Sequence, residues 1–352
     1  MASNGHRTHV YVGLAGEGEN IADGGMLRRV EGDDEWVSIT NGLPDEPQVR
    51  TLLVHPDDPA VIYAGTQHGV YRSGDRGDHW EALQSPGDGM DVWSLAFHPN
   101  DPNVIYAGYE PCSISRTEDG GESWTQMNTD RINYPNVTTY MQPLAKRVIG
   151  IAADPSDPSD MYASVEVGGL LASRDGGDSW DSITDGLYTE NHTVDLHGVQ
   201  ISSAAPGTVF IIAQVAMFRS RDRGTHWEHI RFGEMFPGGS YCRGLIVAPD
   251  DPKTLYLAAG AGGGGAPAGT QEAGALFRSQ DIGETWQRLD IGDTPPSRMF
   301  QIAIDRAAPS NVFCVTGYGH FYESTDGGDS WTGSQLPGEL SRSRHVYPMV
   351  AG

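Results

Sequence analysis

The chain has 352 residues, and 23 Lys plus Arg stand against 47 Asp plus Glu, which gives a formal net charge of −24. So acidic a surface repels phosphate backbones and anionic lipid headgroups, and we therefore expect neither nucleic acid nor a membrane as a partner. The 46 Gly and 22 Pro indicate many turns and little long helix, and three Cys are too few for a disulfide framework. The first residues lack the basic stretch and apolar core of a secretory signal, so we expect a cytoplasmic protein.

An eight-residue repeat, S/T-x-D-x-G-x-x-W, divides the chain into units. Its six copies begin at Ser73, Thr117, Ser173, Ser220, Ser279 and Ser324, and a degenerate copy ends at Trp36. The closing tryptophans follow one another at intervals of 44 to 59 residues. This spacing is typical of a four-stranded propeller blade rather than of a helical repeat.

The predicted strands follow the same division in chain order. The first unit has three strands, HVYVGLAG, GGMLRRVEG and EWVSITNG, whereas the second has four, VRTLLVHP, VIYAGTQ, GVYRSGD and HWEALQ. The later units repeat the four-strand pattern, and Asp-Pro turns join the first two strands in four units: HPDDP at His55, HPNDP at His98, DPSDP at Asp154 and PDDP at Pro249. A spare strand, HVYPMVAG, begins at His345, and we predict that it completes the first unit and covers its edge. The sequence therefore predicts an all-β fold, one seven-bladed β-propeller domain over residues 1–352 with four-stranded antiparallel blades.

The six copies resemble the Asp-box (BNR) repeat of sialidase-like propellers. That superfamily also includes sortilin-type receptor domains, xyloglucanases and a photosystem-assembly factor, and the resemblance covers essentially the whole chain. It implies that the box is structural and lies on the outer rim, together with the Arg that precedes several copies (Arg72, Arg116, Arg219 and Arg278). Sialidases themselves have six blades and an F/Y-R-I-P motif, which this chain lacks, so the resemblance favours another hydrolase or a lyase over a sialidase.

Long insertions indicate which face of the ring carries function. They span 129–147, 185–197, 230–243 and 259–274, and all belong to loops that emerge on the face of the axial mouth. Long loops in compact domains are often functional, so we predict that ligands bind on this face.

Basic and aromatic side chains gather at the start of the innermost strands when the blades are aligned on their turn prolines. The predicted substrate-binding residues are Arg50, Trp93, Arg147, Arg243, Arg298, Phe300, Arg344 and His345. A guanidinium group binds two oxygens of a carboxylate, sulfate or phosphate at once and stays charged near neutral pH. The pattern therefore predicts an Arg-rich pocket for a small anionic molecule. The alternative is that each arginine pairs with an adjacent Asp or Glu.

Three further residues are candidates for catalysis. Glu110 and Glu166 end the second strands of adjacent blades, and His197 begins an innermost strand. Paired carboxylates can serve as general acid and base, and they also carry out glycosidase chemistry. The alternative is that these glutamates pair with mouth arginines, for example Glu166 with Arg147, and hold the ring rigid. Because H-x-H, HExxH and C-x-x-C spacings are absent, we predict neither a metal site nor a cofactor, and the sequence leaves open whether histidines that converge in the fold bind a metal.

Three functions fit these observations. The favoured one is a hydrolase or lyase acting on a small, carboxylate-bearing and possibly sugar-like substrate. The alternative is a non-catalytic propeller that binds a ligand or a protein. A saccharide lyase with a His/Tyr pair is the third. The substrate, the bond broken and the oligomeric state stay open at this point.

Overall fold

The computed structural model describes residues 6–16, 24–85, 90–134, 146–187, 193–215, 217–230, 240–261, 274–341 and 344–352. Across these residues, 28 strands form seven four-stranded antiparallel sheets. The structure thus confirms the predicted seven-bladed propeller. Within the same residues, no helix is long and apolar enough to span a membrane.

Each blade takes its strands in chain order from the axis outward, apart from the first. Blade 1 consists of β1 (His9–Ala15), β2 (Gly25–Val30), β3 (Val37–Ser38) and the C-terminal β28 (His345–Ala351). Blade 2 consists of β4 (Thr51–Val54), β5 (Ile62–Thr66), β6 (Gly69–Ser73) and β7 (Glu81–Ala82). Blade 3 consists of β8 (Asp91–His98), β9 (Asp101–Glu110), β10 (Ile114–Thr117) and β11 (Thr125–Gln126). Blade 4 consists of β12 (Arg147–Asp154), β13 (Asp157–Glu166), β14 (Gly169–Ser173) and β15 (Asp181–Ser182).

The remaining three blades follow the same order. Blade 5 consists of β16 (Leu196–Ile201), β17 (Val209–Ala213), β18 (Met217–Ser220) and β19 (Glu228–Ile230). Blade 6 consists of β20 (Ser240–Val247), β21 (Leu255–Ala261), β22 (Gly274–Ser279) and β23 (Gln287–Arg288). Blade 7 consists of β24 (Met299–Ile304), β25 (Val312–Thr316), β26 (His320–Ser324) and β27 (Thr332–Gln335).

The C-terminal strand closes the ring, as predicted. β28 pairs antiparallel with β1, with Val10 opposite Ala351 and Tyr11 opposite Val350. The inner edge of β1 is therefore covered by the chain's own last strand and is not left open for another chain to pair with.

The eight-residue repeat folds as a turn that satisfies its own polar groups. In the copy at Thr117, the threonine hydroxyl accepts a hydrogen bond from the Gly121 amide at 2.9 Å, and Asp119 accepts one from the Ser123 amide at 2.8 Å. Gly121 has a φ of 102°, a conformation that glycine adopts without steric cost. The turn ends with the indole of Trp124, whose Nε1 donates to the Gly121 carbonyl at 3.1 Å.

The arginines that precede the repeat join neighbouring blades. Arg116 Nη1 and the Tyr106 hydroxyl both donate to the Gly176 carbonyl in the next copy, at 3.1 and 2.9 Å. Arg72 and Tyr63 make the same pair of contacts to the carbonyl of Gly120. These side chains therefore hold the outer parts of adjacent sheets together, away from the axis.

The hydrophobic core lies between adjacent sheets. One cluster, for example, packs Leu170 of blade 4 against Leu196, Ile211 and Phe218 of blade 5. Apolar side chains therefore fill the space between these neighbouring blades.

Candidate functional site

The strand register brings the predicted site residues to one edge of their sheets. Arg147, at the start of β12, lies opposite Glu166, at the end of β13. In the preceding blade, Asp91 at the start of β8 lies opposite Glu110 at the end of β9. In both blades, the start of the first strand and the end of the second strand therefore lie at the same edge of the sheet, the edge that the sequence alignment of the blades assigns to the axial mouth.

Trp93 lies between two of the predicted arginines. The guanidinium carbon of Arg50, from blade 2, is 4.3 Å from the Trp93 ring centroid, and that of Arg147, from blade 4, is 4.1 Å away. Arg50 Nε also donates to Asp91 Oδ2 at 3.0 Å. Trp93 is only 5% exposed, so its ring mainly orients these two guanidinium groups.

Arg147 holds two carboxylates from adjacent blades. Its Nε is 3.0 Å from Glu166 Oε2 and 3.4 Å from Glu110 Oε2. Arg243 approaches the other oxygen of Glu166 at 3.8 Å. The Glu110 side chain is 26% exposed and that of Glu166 only 11%, so Glu110 is the one that faces solvent. Burial raises the pKa of Glu110, while the positive charge of Arg147 acts in the opposite direction.

A cluster of aromatic side chains lies next to Arg243. The Arg243 guanidinium lies 4.9 Å from the Phe300 ring centroid, and the Phe300 ring meets His345 edge-on at 5.6 Å. Tyr347 packs against His345 at 4.7 Å and against Trp93 at 5.4 Å. Because Tyr347 belongs to β28, the strand that closes the ring also links the two halves of the site.

His197 lies deeper than the other predicted residues. Its Nδ1 donates to the Cys242 carbonyl at 2.7 Å, and its ring centroid is 4.7 Å from that of Tyr241. Burial, and next the positive charge of Arg243, hold its pKa well below the ordinary value, so the ring is neutral near neutral pH. Arg298 covers Tyr241 at 4.4 Å, and its Nε donates to the Ala261 carbonyl at 3.2 Å.

The structure thus brings most of the predicted residues together in a chain of direct contacts, but Arg344 lies apart. Arg344 Nε donates to the Gly24 carbonyl at 3.3 Å, beside the start of blade 1. Carboxylates accompany Arg50, Arg147 and Arg243 within 4 Å, which is the arrangement that the alternative interpretation describes. The pocket for an anion therefore stays a prediction, and residues 135–145, 188–192, 231–239 and 262–273 of the long insertions lie outside the described residues.

Sequence reasoning missed two acidic residues of the mouth. Asp91 precedes Trp93 by two positions, and Asp195 precedes His197 by two. The two-residue spacing was the available signal, although register shifts at Trp93 and His197 interrupt the regular alternation of faces along β8 and β16. Asp195 Oδ2 lies 3.9 Å from His197 Nε2.

Lys146 is the other residue that the sequence did not indicate. It is one of two lysines in the chain, it is 1% exposed, and its Nζ donates to the Val167 carbonyl. Burial lowers the pKa of this amine, and the negative charge of Asp195 acts against that effect. The mouth therefore contains buried groups of both signs rather than arginines alone.

The chain matches no protein-family profile. It is 23% identical over 227 residues to the xyloglucanase Xgh74A of Acetivibrio thermocellus, a match that covers 54% of this chain and 25% of the relative. The chain therefore corresponds to about a quarter of the length of that curated relative. Among solved structures, it is similar to the GH74 xyloglucanase from Xanthomonas campestris, with a TM-score of 0.62, 20% identity, and coverage of 85% of this chain and 46% of that one.

A second structural relative has nearly the same extent as this chain. YCF48 bound to D1 peptide gives a TM-score of 0.51 and 17% identity, with coverage of 81% of both chains. Identities this low show a shared propeller fold and leave the activity to be argued from the site.

Proposed function

We propose that the axial mouth is the active centre of a hydrolase- or lyase-type propeller that acts on a small, carboxylate-bearing, sugar-like substrate. The observation that carries this proposal is the position of Arg147, which holds Glu110 and Glu166 from neighbouring blades beside Trp93. Two carboxylates at one opening provide the acid and base that glycosidic bond cleavage requires. The fold likeness to a GH74 xyloglucanase supports a glycoside-hydrolase-like interpretation.

Glu110 takes the role of proton donor. It is the more exposed of the two glutamates, and burial raises its pKa, so it retains its proton to higher pH than an ordinary glutamate. Glu166 lies deeper between Arg147 and Arg243 and takes the role of proton acceptor. His197, whose side chain is 1% exposed, acts as a positioning residue that packs under Tyr241.

A substrate carboxylate would bind where Glu110 now contacts Arg147. That ion pair is the longer of the two that Arg147 makes, at 3.4 Å, and a ligand carboxylate can replace it. When the ligand takes the Arg147 guanidinium away from Glu110, the pKa of Glu110 rises further, because the nearby positive charge had favoured the ionised form. An anionic substrate would therefore help to protonate the group that acts on it, and this is the reason for preferring a carboxylate-bearing sugar.

The other predicted residues complete the binding surface in this proposal. Arg50, Arg243 and Arg298 add guanidinium groups to that of Arg147, and the rings of Phe300, His345 and Tyr347, which are 8%, 7% and 4% exposed, support the site from behind. Arg344 lies toward blade 1 and would contact only a longer ligand.

The test compares Glu110→Gln and Glu166→Gln with Glu81→Gln. Glu81 also pairs with an arginine, Arg72, but on the exposed outer rim, so it controls for the loss of a surface charge. Aryl glycosides report hydrolysis, and uronate oligosaccharides report elimination through the absorbance of the unsaturated product. We expect each mouth variant to lose about 10²- to 10⁴-fold in kcat while far-UV circular dichroism shows that it remains folded. Turnover within twofold of the Glu81→Gln variant would rule the catalytic roles out.

A binding platform is the second candidate, and one observation favours it. The chain covers only 46% of the GH74 xyloglucanase from Xanthomonas campestris but 81% of YCF48, whose structure contains a bound peptide. In this case, the mouth arginines would hold a carboxylate of a peptide. Fluorescence anisotropy with short peptides bearing a free or an amidated C-terminus tests the idea, and amidation should weaken binding about tenfold, which corresponds to about 1.4 kcal/mol. Equal affinity for the two forms would reject a role for the arginines.

A further inference from the structure

Three buried side chains from adjacent blades converge behind the mouth. Glu166 ends β13, Asp195 directly precedes β16, and His197 is the second residue of β16. Each of them offers one oxygen or nitrogen atom, and these atoms all lie within 4.8 Å of one another. Glu166, Asp195 and His197 are 8%, 2% and 6% exposed, so the group differs from the acidic clusters that occur on protein surfaces.

The hydrogen bond of His197 leaves its other nitrogen directed at this group. Nδ1 donates to the Cys242 carbonyl at 2.7 Å, so Nε2 carries the lone pair of the neutral ring. Nε2 lies 3.9 Å from Asp195 Oδ2, beyond hydrogen-bond distance. Histidines that bind metals typically donate their second ring nitrogen to a backbone carbonyl or a carboxylate, which fixes the ring and its tautomer.

Glu166 provides a second, independent indication of a ligand. More than nine-tenths of the residue is buried, and within the described part of the chain its Oε2 makes no hydrogen bond. Arg147 Nε lies 3.0 Å from this oxygen and forms an ion pair with it, but the N–H is not aligned for a hydrogen bond. Arg243 Nη1 lies 3.8 Å from the other carboxylate oxygen, Oε1. Carboxylates that bind metals are usually supported in this manner by donors behind them.

We propose that Glu166, Asp195 and His197 form a binding site for one divalent cation of the Zn²⁺ or Mn²⁺ class. Imidazole with two carboxylates is a donor set that suits these ions, and bond lengths of about 2.0–2.2 Å require the three side chains to close in by small rotations. The formal net charge of −24 raises the concentration of cations around the protein.

The positive groups nearby explain how the carboxylates stay in place without an ion. Arg147 and Arg243 contact Glu166, and the charge of Lys146 acts on Asp195. A cation entering the group would meet carboxylates already held from behind. As a consequence that depends on the proposed function, an ion with an open coordination position would offer it to a carboxylate or hydroxyl oxygen of the substrate.

The experiment measures metal binding directly, without substrate. Chelator-treated protein is titrated with Mn²⁺ and followed by calorimetry and by electron paramagnetic resonance, and with Co²⁺ followed by visible absorption. We expect one equivalent bound by the wild type and at least tenfold weaker binding by Asp195→Asn and His197→Gln. His226→Gln is the matched control, because His226 also lies beside an aspartate, Asp222 at 2.6 Å, but on the exposed rim. This control should bind as the wild type does.

Two results would overturn the site. One is the absence of a stoichiometric Mn²⁺ or Co²⁺ complex in the folded wild type, and the other is equal binding by the wild type and His197→Gln. Far-UV circular dichroism establishes that each variant is folded, and the melting shift of the wild type on adding Mn²⁺ provides evidence that needs no variant. Glu110→Gln should bind the metal normally, so a failure of the catalytic proposal is distinguished from a failure of this one.

Discussion

Arg147 offers the sharpest test of how the mouth is held together. Replacing it with Met keeps much of the side-chain length but removes the charge that Glu110 and Glu166 share. The Arg147, Glu110 and Glu166 side chains are 16%, 26% and 11% exposed, so two largely buried carboxylates lose a main partner. Removing one partner of a fully buried ion pair typically costs about 3–5 kcal/mol, and for this partly exposed group we expect about 3 kcal/mol at pH 7.

The loss should depend on pH in a defined direction. Burial already raises the pKa of Glu110, and without Arg147 it rises further. A carboxyl group whose folded-state pKa exceeds its unfolded-state value destabilises the fold at pH values above the folded pKa. That cost disappears as the pH falls toward the ordinary glutamate value of about 4.3. The gap between Arg147→Met and the wild type should therefore narrow between pH 7 and pH 5.

Urea denaturation followed by tryptophan fluorescence and by far-UV circular dichroism measures the free energy of unfolding, provided that the two transitions coincide. Arg72→Met is the control, because Arg72 also bridges two glutamates, Glu81 and Glu122, but these are 62% and 64% exposed. We expect a loss below about 1 kcal/mol and little pH dependence for it. Equal losses for the two variants, or a loss at Arg147 that grows on acidification, would refute the reasoning.

Two further predictions concern the eight-residue repeat. Trp180 is fully buried and Trp124 is partly exposed, although each donates Nε1 to the glycine carbonyl three positions earlier. Trp180→Ala should therefore lower the free energy of unfolding by about 4 kcal/mol, and Trp124→Ala should lower it by clearly less. Similar urea midpoints for the two variants would contradict the packing argument. Hydrogen bonds from the hydroxyl and amide of Ser123 lower the pKa of Asp119 to about 2, so its stabilising contribution is present above the ordinary aspartate pKa of about 3.9 and declines as the pH falls toward 2. The difference in urea midpoint between the wild type and Asp119→Asn should thus be smaller at pH 3 than at pH 5, and a constant difference would show that the carboxylate does not act through its charge.

The architecture was predictable because its signal is local and repeated. Each S/T-x-D-x-G-x-x-W copy specifies one turn through contacts within eight residues, as the hydrogen bonds of Thr117 and Asp119 show. Counting copies predicts the number of blades, and a three-stranded first unit with a spare strand at His345 predicts how the ring closes. Aligning the blades on their turn prolines indicates which strand ends share an edge, and in the structure Arg147 does contact Glu110 and Glu166.

The tertiary structure alone decided which of these side chains touch. Arg147 contacts two glutamates while Arg344 turns to the Gly24 carbonyl, although both precede or begin an innermost strand. Likewise, nothing in the spacing of Asp195 and His197 shows that Glu166, about thirty residues earlier, stands against them. The reason is that turn and strand patterns depend on neighbours along the chain, whereas contacts between blades depend on how far apart and at what angle the closed ring holds adjacent sheets.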